Sequence, residues 1–416
     1  MSARFSRLFT AVAALGLFAA APPPPPTADQ ITAAIAAERL PLARETDGSF
    51  SGAGWQRMVD DASSAQFTMV GEQHGSGSIA QFEAALHQTL APRGYTHSAL
   101  EVGPYSTRFV EALIRSGPGK LQEYIAAPGH GFTVPFLFFG EEAQMAEQMV
   151  RLSPDRQHAL WGLDQEFIGG GPLHADMLDS YARTADQKSA AAAFRDAAAK
   201  NPMHSGVLTE SDLAPLRAAF AANSAALEII SALEASAAIY RPFVVKGGGD
   251  IYPANLARET MMKRNFLAAF SEAEKRRKNP PKVFLKFGAN HAMRGFSDTE
   301  VPALGNFIAE WGTARNLRLV NLFVECDGGE AMNPQTNQPA PCEPYFAEDS
   351  LLRRAVRTGP PLQIFDLRPL RAQISRWKDV DPATRKVILA FDYYVTIRDG
   401  RAATPVGTPP GALEKK

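Results

Sequence analysis

The sequence predicts an α/β fold: a mainly parallel central sheet flanked by helices, with a helical insertion over the cleft. Three observations carry that expectation. First, Phe67-Thr68-Met69-Val70, the helical spacing of Ile79, Phe82, Leu86 and Leu90, and Ser98-Ala99-Leu100-Glu101-Val102 read as strand, helix, strand. Two parallel strands need such a crossover. Second, Lys282 to Phe287 repeats the buried-strand pattern far down the chain. Third, Glu72, His74, Glu101, Asp164 and His291 all fall where an apolar run ends, and open α/β sheets gather ligands at the carboxyl ends of their strands.

Element by element, Ala28 to Leu40 and Trp55 to Ala65 have amphipathic helical spacing ahead of the first core strand. After the βαβ unit, Thr107 to Ser116 and Glu141 to Leu152 read as helices, the second stopped by Ser153-Pro154. Ala159 to Asp164 is a further strand closing on an acid. Phe167-Ile168-Gly169-Gly170-Gly171-Pro172 lacks the Lys-Ser/Thr of a phosphate loop and reads as a flexible turn. From about 172 to 245 the composition turns to Ala, Leu, Asp and Lys without strand signals, which predicts an insertion of several helices broken near Asn201-Pro202 and Ala214-Pro215. Arg258 to Ala273 is a strong helix, and the basic run 275–278 complements its dipole. Leu317 to Phe323, Pro361 to Leu367 and Lys386 to Ile397 read as the remaining strands. No fixed-period repeat is present, so residues 27–416 read as a single domain.

Charge is nearly balanced, 43 basic against 44 acidic residues, which gives no basic patch for nucleic acid or for an anionic membrane. The partner this leaves is a small-molecule substrate. Arg4 and Arg7 precede an apolar run from Leu8 to Ala21, which fits a secretory leader better than a span, and Pro22 to Pro26 would form a stiff spacer. Residues 1–26 thus read as signal peptide and spacer, with Pro22 a poor residue to follow a cleavage site so that an uncleaved anchor is the alternative, and with an exported protein, periplasmic in a Gram-negative cell. Cys326 and Cys342, the two cysteines, flank a polar loop and in an exported chain read as a disulfide.

In Gly71-Glu72-Gln73-His74-Gly75 a side-chain period of two points Glu72 and His74 the same way. Such a pair can hold a His as general base for water, can join a metal site, or can be a satisfied strand end. For hydrolysis His74 is the candidate base, Glu72 or Glu101 its orienter, Arg258 an oxyanion donor or an ion-pair partner of those acids, and His291 a second proton carrier. Ser76, Asp164 and Asn265 are candidate substrate contacts. This reading requires no cofactor. For a divalent metal, His74, Glu101 and His291 make a two-His, one-carboxylate set, without the tight spacing of a helical zinc motif. For haem, Tyr105, His130 and Met145 are candidate surface ligands, with no Cys-x-x-Cys-His attachment. The histidines at 87, 97, 158, 174 and 204 read as solvated. The phenylalanines 132, 136, 138 and 139 read as core or as an apolar lip of the cleft. No Gly-x-Ser-x-Gly elbow is present, which disfavours a serine hydrolase.

Together, Gly71 to Gly75, Arg258 to Asn265 and Gly288-Ala289-Asn290-His291-Ala292-Met293-Arg294-Gly295 resemble one superfamily, that of the erythromycin esterase-like, haem-binding ChaN and Tiki/TraB proteins. Ala99 to Glu101, Gly162 to Asp164 and Ala390 to Tyr393 fall in the same order. The resemblance implies an α/β fold with a cleft under inserted helices. It also implies a His at the position of His74 that activates water for attack on an ester, with metal-dependent hydrolysis or haem binding in the other branches. Two departures, the single residue between Glu72 and His74 and a Gly288 where the esterase branch tends to carry His, look more like the ChaN and Tiki branches.

Overall fold

The computed structural model describes residues 24–155, 158–334 and 336–407. The leader read at 8–21 and the start of the proline spacer lie outside the described residues. The main sheet has eight strands: β1 (Arg39–Leu40), β2 (Phe67–Glu72), β3 (Tyr95–Leu100), β4 (Leu160–Gly162), β5 (Lys282–Gly288), β6 (Leu319–Cys326), β7 (Leu362–Asp366) and β8 (Tyr393–Ile397). Their spatial order is β1-β7-β8-β6-β2-β5-β3-β4. From β8 to β4 every neighbouring pair is parallel, and β7 and β1 close one edge antiparallel. β2, β6 and β8 are buried at every position, which is why they read as continuous apolar runs rather than alternating ones.

One sheet face packs Val70, Leu100, Phe284 and Leu322 under helices α3 (Gly77–Leu90), α4 (Pro104–Ser116) and α5 (Gly140–Leu152). The other packs Met69, Ala99, Leu285 and Phe323 under α10 (Ile251–Lys275) and its neighbours. Helices α6 (Gly171–Tyr181), α7 (Ala185–Lys200), α8 (Glu210–Ala219) and α9 (Ser224–Val244) occupy the stretch between β4 and α10. α1 (Ala28–Ala37) and α2 (Ala53–Ser64) precede the core strands.

The chain crosses from β2 to β3, leaving room for one strand, and β5 later fills that gap while β6 takes the other side of β2. The carboxyl ends of β2, β5 and β3 therefore lie side by side. This crossing places Glu72, the turn after Gly288 and Glu101 together, at a point where the strand order switches direction.

Two expectations need correction. The apolar run before residue 390 is not strand: Asp381 accepts from Thr384 N at 2.8 Å, Pro382 opens the helix α12 (Pro382–Ala390), and the strand is only β8. The Asp-Pro cap outranks the β-branched run that follows it. Nor does Pro215 break its helix. It sits in the second turn of α8, where the carbonyl it leaves without a donor belongs to the exposed Ser211 and can bond water.

Candidate functional site

Glu72 ends β2 and His74 follows it in the turn to α3. The ring nitrogen Nδ1 of His74 lies 2.7 Å from Glu72 Oε1. Lys286 donates to the same oxygen at 2.6 Å, because it is in register with Val70 and so projects from the face that carries Glu72. Lys286 was not singled out by the sequence reading. Its signal was a charged residue in the middle of an otherwise apolar strand, which is rarely tolerated without a partner.

The Lys286 ammonium also lies 3.0 Å from Glu142 on α5 and 3.8 Å from Glu83 on α3. Burial would raise the Glu72 carboxyl, but Lys286 and His74 outweigh it and hold it down at about 2. Glu142 goes the other way, pushed by burial to about 7, and burial with the neighbouring Glu72 charge raises Glu83 well above the usual carboxylate range. An ionised Glu72 can only accept a hydrogen bond, so Nδ1 of His74 carries a proton, and in the neutral ring the lone pair falls on Nε2.

That Nε2 faces Glu101 across 3.8 Å. Glu101 follows β3; its Oε2 accepts from Gly288 N at 2.6 Å and its Oε1 from Arg258 at 2.8 Å. Arg258, from α10, makes a second, forked pair with Asp164 at 2.9 and 2.5 Å. His291 sits on the one-turn helix α11 (Ala289–Ala292) after β5, with Nε2 3.3 Å from Glu101 and Nδ1 2.6 Å from Glu259. Burial opposes charging His291, yet Glu101 outweighs it and raises the ring to about 9. Glu101 itself, which burial alone would raise, is held well below the carboxylate range by His291 and Arg258.

Two glycines make the crowding possible. A Cβ on Gly288 would lie 2.6 Å from His74 Nε2, and one on Gly71 would lie 2.7 Å from the Cβ of Ala292 in the His291 turn. Phe136 completes the site. Its ring stacks on His74 with centroids 4.2 Å apart, and its backbone is held at φ +64°, a left-handed conformation that a bulky residue avoids. Strain of this kind collects at functional sites. The apolar-lip reading therefore holds for Phe136, while Phe139 is buried.

Of the residues picked from sequence, Glu72, His74, Glu101, Arg258 and His291 converge, and Asp164 joins them through Arg258. Ser76 caps α3, accepting from Ile79 N at 3.3 Å. Asn265 donates to Leu163 O at 2.8 Å and, with Asp164, lines a cavity of about 840 Å³ between α4, β4, α9 and α10. That cavity lies beside the His74 centre and reaches it only at Asp164. The possible haem ligands do not share a surface: Met145 is buried, Tyr105 points to Glu228 and His130 to Tyr124 O. His87, His97 and His174 are buried rather than solvated, because each finds a polar partner inside. Among the described residues, the three ligand atoms that come within 4.8 Å of one another belong to Glu72, Glu83 and Glu142, and the Lys286 ammonium already sits among them.

The sequence matches no protein-family profile and no curated relative. Solved structures do match. A succinoglycan biosynthesis protein aligns at TM-score 0.61 and 16% identity over 90% of this chain and 98% of its own. A Bacillus cereus protein aligns at 0.59 and 13% over 92% and 100%. A histidine-to-asparagine mutant of the erythromycin esterase EreC, in its open conformation, aligns at 0.57 and 12% over 85% and 95%. At these identities the likeness is one of fold, and the chain has the erythromycin esterase-like fold.

Proposed function

We propose that the protein is a hydrolase of a small-molecule ester or related bond, with His74 as the base that activates water. The observation that carries this is the pairing of His74 Nδ1 with a carboxylate that stays ionised, which in the neutral ring turns the Nε2 lone pair outward from a side chain 38% exposed. In this mechanism Nε2 takes a proton from water as the oxygen attacks the carbonyl carbon, and Glu72 stabilises the imidazolium that forms. His291, protonated up to about pH 9, can pass a proton to the departing alkoxide and be recharged by water. Arg258 is spoken for by Asp164 and Glu101, so its part is to fix Glu101 rather than to meet the oxyanion directly.

A divalent ion fits this donor set poorly. Both Glu101 oxygens already receive hydrogen bonds, both ring nitrogens of His291 are taken by Glu101 and Glu259, and the Arg258 guanidinium borders the set and would repel a dication. Export to the periplasm is part of the same proposal and rests on the leader alone.

A panel of p-nitrophenyl esters tests the reading. Turnover is expected, lost by about a thousandfold or more in His74→Ala with an unchanged circular dichroism spectrum, and insensitive to chelator. Full activity in His74→Ala, or loss to chelator with recovery on adding zinc, overturns it. So does a Soret band at equimolar hemin together with no turnover of any ester.

A further inference from the structure

Gln73 lies between Glu72 and His74, and in extended chain its side chain points away from theirs. It points at the disulfide. Cys326, the last residue of β6, and Cys342 are bonded, with Cα atoms 6.2 Å apart. Gln73 Oε1 accepts from Cys326 N at 3.1 Å and lies 3.2 Å from Cys326 Sγ; Gln73 Nε2 donates to Glu343 O at 2.6 Å. One amide thus bonds to the backbone on both sides of the bridge. The closed loop also holds the other neighbour of His74. Met332 N donates to Gly75 O at 2.8 Å, and a Cβ on Gly75 would lie 2.6 Å from Met332 O.

The His74 ring meets Glu72 at its Nδ1 edge and Phe136 on one face, and the two peptides that flank it set where those contacts can form. Both are gripped by the segment that the disulfide closes. Opening the bridge would let Cys326 and Glu343 part, and the Gln73 amide could then satisfy only one of them. We propose that Gln73 is a positioning residue which, pinned across the Cys326–Cys342 bridge, keeps the His74 ring in line with Glu72 and its Nε2 directed at the substrate. The catalytic arm of this inference rests on the hydrolase reading; the placement of the ring does not.

The test uses the full chain in three forms: oxidised wild type, Gln73→Ala with the bridge intact, and the double variant C326S/C342S. Nitrogen-15 spectra of the histidine rings report the His74 tautomer, and kcat and KM are taken on whichever p-nitrophenyl ester the wild type turns over. The expected result is one tautomer in the oxidised protein and an averaged ring in both variants. With it, kcat should fall about tenfold to a hundredfold at unchanged KM. A merely structural bridge would lower the melting temperature and move neither tautomer nor kcat, and that result overturns the proposal. A change in Gln73→Ala with none on opening the bridge overturns the role of the disulfide. Should the serine variant fail to fold, the bridge can be opened in native wild type by a dithiol. The dithiol gives two electrons and two protons to the two sulfurs and closes to its own cyclic disulfide. If the wild type hydrolyses no ester, the hydrolase reading fails while the ring spectra still decide the brace.

Discussion

Glu72 and Glu166 are both buried and each holds a histidine, yet only the histidine on Glu72 can act as a base. His74 lies 2.7 Å from Glu72, and His174 lies 3.2 Å from Glu166. Both carboxylates are out of water, and both are held below what burial alone would dictate by the imidazole and further donors. The difference is in what remains unspent. His174 is fully buried, with Nε2 on Glu166 and Nδ1 3.0 Å from Ser205, while Glu166 accepts from the amides of Tyr105 and Ser106 at the start of α4. That pair caps a helix and ties α4 to α6. His74 spends one nitrogen on Glu72 and keeps the other, 38% of its side chain being in contact with solvent. A His-Glu pair is a site when one ring nitrogen is left over and reachable. When both are consumed the ring has no lone pair to offer as a base.

The comparison breaks most visibly at Lys286, which only the first pair has. Lys286→Met would leave Glu72, Glu83 and Glu142 buried without their cation. The expected cost is roughly 3–5 kcal/mol in denaturant titration. Because Glu72 would then take up a proton near neutral pH, His74 would lose its fixed tautomer and hydrolysis would fall with it. A Lys286→Met protein as stable and as active as wild type would remove Glu72 from the mechanism.

His174→Ala is the mirror experiment. It strips Glu166 of its partner and leaves a void, at roughly 3 kcal/mol by chemical denaturation, with kcat per folded molecule unchanged within about twofold. A His174 variant that folded well but lost turnover would put the two pairs on the same footing.

A third difference appears with pH. His291 sits at about 9 in the fold, above its ordinary 6.5. Its contribution to stability is therefore complete below about pH 6.5 and disappears as pH rises through 9. Its size is on the order of 3 kcal/mol. His87 and His97 have the opposite sign, since burial holds both down at about 4. They stabilise the neutral-pH protein and withdraw that contribution as pH falls from 6.5 toward 4. Unfolding free energies of His291→Gln and wild type, measured from pH 6 to 9.5, should converge at the alkaline end. Parallel curves over that range would mean that His291 carries no extra proton.

Much of this was legible beforehand. The βαβ order and the strand-end acids were enough to bring Glu72, Glu101, Arg258 and His291 together, since a parallel sheet sends every strand's carboxyl end to one rim. What escaped was the tertiary partner of each group. Lys286 is a charge inside an apolar strand, and only the register with Val70 shows that it meets Glu72. Besides Glu166, the partners of His174 are Ser106 on α4 and Ser205, far enough along the chain that no local pattern marks them. Residues before 391 misread as strand because capping chemistry at Asp381 decided the segment, not its β-branched composition.

The smallest expected effect is also the one that separates strain from contact. Phe136 covers one face of the His74 ring and lies with its ring centroid 5.4 Å from the Lys286 ammonium, at the cost of a left-handed backbone. Replacing it with alanine removes the ring and keeps the strain, whereas glycine removes both. Left-handed backbone costs an L residue roughly 1 kcal/mol, so Phe136→Gly should unfold about 1 kcal/mol harder than Phe136→Ala. Both lose the stacking and the apolar surface the ring covers, so both should be less stable than wild type, the glycine variant by the smaller margin. Turnover should fall by the same few-fold in the two, because each frees the imidazole to leave the plane set by Glu72. Equal stability of the alanine and glycine variants would show that the backbone at 136 relaxes without its side chain. Equal turnover with wild type would show that the ring keeps its place without Phe136.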